Sequence, residues 1–172
     1  MTATHTEGEY SSLSQNSGYS VGVSADKTYD VSGFKDSDWL NGISTLDIVM
    51  IQKHILGIKA ISEPYMLIAA DANNSGGVSA ADILELRQVI LGSKERFTNN
   101  SWIGLNPDYE FMYNAVQEAN NARIRTVSVG GNDVTGIDFD VVKIGDVNGS
   151  ANALESRNAS SIRLMADDVL LS

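Results

Sequence analysis

One stretch of this chain is written twice. Residues Gly42–Lys59 and Gly77–Lys94 align without a gap at an offset of 35 residues, pairing Ser44 with Ser79, Asp47 with Asp82, Ile55 with Ile90, Leu56 with Leu91 and Gly57 with Gly92. A repeat of this period demands two copies of one supersecondary unit whose apolar faces meet. Each copy carries a helical stripe. Leu46, Val49, Met50, Ile51 and Ile55 form the first, and Ile83, Leu84, Leu86, Val89, Ile90 and Leu91 the second. Gly57 and Gly92 stand where each helix stops.

The segment ahead of the second helix carries the chemistry. Counting from Asp71, oxygen-bearing side chains fall at positions 1, 3, 5, 9 and 12 of a twelve-residue loop: Asp71, Asn73, Ser75, Ser79 and Asp82. Gly76 takes position 6, where a sharp turn favours a residue without a Cβ, and Gly77 offers its carbonyl at position 7. This is the EF-hand spacing, because a hard cation such as calcium takes about 6 to 8 oxygens and alternate loop residues turn inward to supply them. Position 12 is Asp rather than the usual Glu, so the helix must come closer to the ion.

The first copy departs from this pattern. Counting back from Asp47 places Asp36 at position 1, Asp38 at 3, Gly42 at 7 and Ser44 at 9, but Leu40 at position 5 has no side-chain oxygen. Near the C-terminus, Asp146, Asn148 and Ser150 repeat the front half of the second loop residue class for residue class. Two readings of a first site stay open: a contiguous loop using Asp36 and Asp38, or a split one in which Asp146, Asn148 and Ser150 join Ser44 and Asp47 across the fold. Asn-Gly at 148–149 is also a turn signal in its own right.

The duplicated loop-helix pattern in residues 36–94, with residues 141–149, resembles a type I dockerin, especially the dockerin-like modules of secreted Bacteroidota surface proteins. The resemblance implies calcium as cofactor, residence outside the cell or on its surface, and a cohesin-like docking partner. Type I dockerins dock through loop positions 10 and 11. Here these are Thr45 and Leu46 in one copy and Ala80 and Ala81 in the other, so docking in two equivalent orientations is not expected.

Around the repeat the pattern is β-like. Residues 19–35 read as a hairpin or two short strands, and 124–129 and 137–144 as strands. Residues 63–70 read as a short helix with Pro64 in its first turn, and 110–122 as either helix or irregular chain. The expected fold class is α+β, with paired loop-helix repeats packed against a small antiparallel sheet or sandwich. The expected divisions are a flexible or strand-donating tail at 1–18, strands at 19–35, the module at 36–95, a β region returning to the module at 96–150, and a linker with a terminal strand at 151–172. A terminal strand without a partner in its own chain exposes unpaired N–H and C=O groups, which suggests head-to-tail self-association by strand addition.

A formal charge of −10 disfavours nucleic acid and anionic membranes and favours cations. With no cysteine, disulfides and thiolate metal sites are excluded, which leaves oxygen ligands. No apolar run approaches the roughly 20 residues of a membrane-spanning helix, and the first seven residues lack the basic and apolar regions of a signal peptide.

Catalysis finds no support: His5 and His54 have no triad-like neighbours in sequence, and His54 reads as a solvated helix position. The reading is therefore a non-enzymatic calcium-binding structural or adhesion module. A dockerin that docks a cohesin-like protein is the alternative, and a carbohydrate-binding module using Trp39 and Trp102 a third, although such residues more often belong to a core. Glycan-acceptor sequons occur at Asn73, Asn99, Asn148 and Asn158, of which Asn73 and Asn148 coincide with candidate ligands.

Overall fold

The computed structural model describes residues 2–5, 8–11, 19–151 and 162–166, with side chains described over 22–151. Ten strands and four helices occur among them: β1 Thr2–His5, β2 Gly8–Ser11, β3 Tyr19–Val23, β4 Lys27–Ser32, β5 Phe34–Lys35, α1 Thr45–Ile55, α2 Pro64–Ala70, α3 Ala80–Ile90, β6 Trp102–Leu105, α4 Ala115–Ala122, β7 Arg125–Val129, β8 Val134–Ile137, β9 Asp140–Lys143 and β10 Ile162–Ala166. The class is α+β. The strands form three small sheets rather than one, ordered β2-β1-β4-β7, β3-β10-β8 and β5-β6-β9. All pairs are antiparallel except β3 with β10, which run parallel.

The helices arise as the sequence pattern predicts, but their faces divide differently. Ile48 and Ile51 of α1 and Leu86 and Val89 of α3 are buried, while Leu46, Val49, Ile55, Leu84 and Leu91 are exposed. Apolar residues cover more of each helix than the core occupies, so the stripe is wider than the buried face. α2 starts at Pro64, which fits the first turn because its missing N–H needs no partner there. Residues 115–122 are the helical part of the undecided stretch. There Asn114 caps the helix, and the Glu118 carboxylate accepts the backbone N–H groups of Met112, Tyr113 and Asn114.

The larger core gathers α1, α2, α3 and α4 over β6 and β9, with Ile144 and Val147 buried in it. A smaller core joins Val23, Tyr29, Val31, Val129, Ile137 and Phe139. The expected single strand at 137–144 breaks at 138–139, because Phe139 turns into the smaller core while β9 pairs with β6. Of the two readings of 19–35, short strands hold and the hairpin does not: β3 and β4 lie in different sheets.

Other expectations are corrected. β1 adds to β4, and β10 lies between β3 and β8, so these terminal strands find partners within their own chain. The rest of the 1–18 tail, the 152–161 linker with Asn158, and residues 167–172 lie outside the described residues. His54 is half-buried rather than solvated, and its Nδ1 accepts the Ile61 N–H at 3.0 Å. Trp102 is buried, and Trp39 packs edge-on against Phe97 with ring centroids 5.8 Å apart, so both serve packing. Asn99 is buried, which removes it as a glycan acceptor.

Residues 141–149 return to the repeat through local contacts that only this sequence permits. The Gly145 N–H donates to Ala69 O at 2.8 Å and the Ile144 N–H to Ser101 O at 3.0 Å. Gly145 has φ of +90°, and a Cβ there would meet Leu86 Cδ2 at 2.7 Å and Ile43 Cδ1 at 2.8 Å. A glycine is needed for the chain to pass between the two repeats.

Candidate metal centre

The 71–82 loop closes on itself through its own oxygens. Asp71 Oδ1 accepts the Ser75 N–H at 2.9 Å, and Oδ2 accepts the Gly76 N–H at 2.9 Å. Ser75 Oγ donates to Gly77 O at 3.1 Å. Asn74 and Gly76 take left-handed backbone, with φ of 56° and 82°, which wraps the loop tightly. Asp82 serves α3 and the loop together. Its Oδ2 accepts the Ser79 N–H at 2.8 Å while the Ser79 hydroxyl caps the helix, and its Oδ1 accepts the Asn73 N–H at 3.2 Å. Asp82 is fully buried, and burial pushes its carboxyl up; hydrogen bonds from Ser79 and Asn73 pull it down, and nearby Asp71 adds an upward push. Two buried carboxylates this close favour a divalent cation between them.

A second set has the same geometry but comes from two distant segments. Asp146 Oδ1 accepts the Ser150 N–H at 3.0 Å and Oδ2 the Ala151 N–H at 2.7 Å. Ser150 Oγ donates to Gly42 O at 2.9 Å. Asp47 caps α1 with Ser44, its Oδ2 accepting the Ser44 N–H at 2.8 Å, and its Oδ1 accepts the N–H groups of Asn148 at 3.2 Å and Val147 at 2.9 Å. The correspondence is position by position: Asp146 with Asp71, Asn148 with Asn73, Ser150 with Ser75, Gly42 with Gly77, Ser44 with Ser79 and Asp47 with Asp82.

The structure does not bring Asp36 and Asp38 to this set. Asp36 is exposed, and its Oδ1 accepts the Ser101 N–H at 3.0 Å, which ties the end of β5 to the start of β6. Asp38, also exposed, has φ of 59° and accepts from Asn41 Nδ2 at 2.7 Å. The place at position 1 beside α1 is filled by Asp146, because the 141–149 return runs where the contiguous loop would have to lie.

Both sets suit a hard cation. Among the described residues no three His, Asp or Glu side chains gather at one point. Each set instead pairs two carboxylates with amide, hydroxyl and backbone oxygens, which balances a divalent charge. Among the described residues Asn148 Oδ1 is buried and has no hydrogen-bond partner, and a cation in the set would offset its desolvation. The donors are all oxygen, the chemistry of calcium rather than of zinc or copper.

Residues 41–91 match the family model of the dockerin type I domain. They form a dockerin type I-like module. Its metal is calcium, carried in EF-hand-like loops, and modules of this family are non-catalytic and bind protein partners. The match includes the 71–82 loop and both helices, and it leaves out Asp146, Asn148 and Ser150. No curated protein and no solved structure matches the chain. Among the described residues, no helix is long and apolar enough to cross a membrane.

Proposed function

We propose that the chain is a secreted or cell-surface docking module that binds two calcium ions and presents α1 and α3 to a protein partner. The observation that carries this reading is the agreement of the two donor sets, 71–82 and 146–150 with 42–47, in the bonds that hold Asp71 and Asp146, Ser75 and Ser150, and the closing Asp82 and Asp47. One ion would be held by Asp71, Asn73, Ser75, Gly77 and Asp82, and the other by Asp146, Asn148, Ser150, Gly42 and Asp47, with Ser79 and Ser44 orienting the closing carboxylates.

Calcium supplies the positive charge that lets these buried carboxylates face one another. The protein's own residues do the rest: Asp82 and Asp47 each join a helix N-terminus to a loop, so filling the sites fixes both helices. On their outer faces Leu46, Val49 and Leu56 of the first repeat and Leu84 and Leu91 of the second are exposed. These apolar residues serve no core, which favours docking over a purely structural or adhesive role. Thr45 and Leu46 against Ala80 and Ala81 make the two halves of the face different, so one orientation of the partner is expected.

Calorimetric titration with calcium tests the metal reading. Two ions are expected, with Asp82→Ala losing one and Asp146→Ala losing the other. Two ions retained by Asp146→Ala would remove the split site, and none bound by the parent would remove the whole reading. A cohesin binding assay with Leu56→Asp and Leu91→Asp tests docking; binding unaffected by both substitutions would move the partner surface elsewhere.

A further inference from the structure

The 71–82 loop is gripped from behind by residues outside the matched segment. Asn99, which is 5% exposed, donates its backbone N–H to Ala72 O at 3.2 Å and its Nδ2 to Asp71 O at 3.0 Å. Its Oδ1 accepts the Asn100 N–H at 2.9 Å and Arg123 Nη2 at 3.1 Å. The same Nη2 reaches Asn74 Oδ1 at 3.5 Å, on the residue whose left-handed backbone begins the sharp turn. Arg123 is the C-cap residue of α4, so one guanidinium joins that helix to both the first and fourth positions of the loop.

Two effects of this guanidinium oppose each other. As a charge near Asp71 it repels a cation, so removing it would strengthen calcium binding. As a hydrogen-bond donor it holds Asn99, which in turn fixes the backbone from which Asp71 projects, so removing it would weaken binding. Burial of the Arg123 Nε–H without a partner is costly, and hydrogen bonding by Nη2 is what the arrangement keeps. The split set lacks this support: among the described residues, Asn99 and Arg123 make no hydrogen bond to it.

Resting on the reading that the loop holds calcium, we propose that Arg123, acting through Asn99, is a positioning residue for the ion in the 71–82 loop, coupling α4 to metal retention. The test is Arg123→Met in the full chain, which keeps the buried stem and removes the donors. Calcium affinity is measured by calorimetry, and release by rapid mixing with a chelator. The loop site should weaken about 10- to 100-fold, the range found when groups behind metal ligands are removed. Release should quicken, and the split site should stay within about twofold, with Asp146→Ala used to read the loop site alone. Unchanged or tighter binding at the loop would overturn the proposal, as would equal weakening at both sites, which marks general destabilisation. Should Arg123→Met fail to fold, Asn74→Gly keeps the left-handed turn and removes one Nη2 acceptor; unchanged affinity there would also count against it. A parent that binds no calcium defeats the functional reading itself, whereas two ions bound and an indifferent Arg123→Met defeat only this inference.

Discussion

The two donor sets share a geometry and differ in their route through the chain. The 71–82 set is local: a twelve-residue loop whose turn residues gather the earlier oxygens just ahead of α3, whose first turn adds Asp82. The other is assembled from segments 100 residues apart, as the bond from the Val147 N–H to Asp47 measures. The local set depends on loop backbone, and the split set on everything that carries residues 141–149 back to α1. The difference teaches that an EF-hand-type site is a spatial arrangement of oxygens that one loop or two can supply.

Removing calcium with EGTA should have the largest effect. Ligand at 100 times its dissociation constant adds about 2.7 kcal/mol per site, so emptying both should cost on the order of 5 kcal/mol. Calorimetry would register it as a lower melting temperature; an unchanged one would break the comparison at its root.

Equivalent glycines sharpen it. At Gly42, φ is +73° and a Cβ would meet Ala151 Cα and N at 2.5 Å, whereas at Gly77 nothing lies within 4 Å. Gly42→Ala should cost roughly 2–3 kcal/mol and weaken the split site, while Gly77→Ala should cost less than about 0.5 kcal/mol. Equal costs by chemical denaturation would mean that Ala151 does not lie against Gly42.

The third prediction concerns pH. Lys143, at the end of β9 and leading into the split set, is buried, and burial pushes its amine down to about 8 despite attraction from Asp38 and Asp146. Its Nζ donates to Trp39 O at 2.9 Å and Ile144 O at 3.1 Å. Between pH 8 and the ordinary value of 10.5 the unfolded chain holds a proton that the fold disfavours. The Lys143 contribution to stability therefore rises with pH across that window, by on the order of 3 kcal/mol. Unfolding in EGTA should show this rise in the parent and a flatter profile in Lys143→Met; identical slopes would refute it.

Asp36→Ala should cost less than Gly42→Ala, since it loses only the bond to the Ser101 N–H at an exposed position, worth about 1 kcal/mol. Both calcium ions should remain. Loss of one, counted by native mass spectrometry, would restore Asp36 to the first site.

The duplication and the 71–82 loop were legible because their information is local: a repeat, a turn glycine, and oxygens at fixed spacing. The split set was half legible, since Asp146, Asn148 and Ser150 match the intact loop in residue class, but sequence alone left Asp36 and Asp38 as rivals. What excludes those two is the path of residues 141–149, fixed by Gly145 between Leu86 and Ile43 and invisible to periodicity. The same holds for the three sheets, whose pairings join strands far apart in sequence, such as β4 with β7. The exposed Leu46, Val49 and Ile55 were misread as core because a helical period records apolar residues without saying what covers them. Asn99 and Arg123 left no pattern at all. Asn99 was read as a sequon, and Arg123 follows a helix whose existence the sequence left open.

The distance between Asp47 and Val147 has a topological consequence. At the proposed split site, a cation shared by Asp47 and Asp146 would turn a linear chain without cysteine into a closed ring of about 100 residues. A disulfide closing a ring of that size restricts the unfolded chain by about 4.7 kcal/mol in the chain-entropy account. An ion can leave as the chain opens, so its hold would depend on the calcium around it: in calcium-rich surroundings the ring would stay shut, and in calcium-poor ones it would revert to a line.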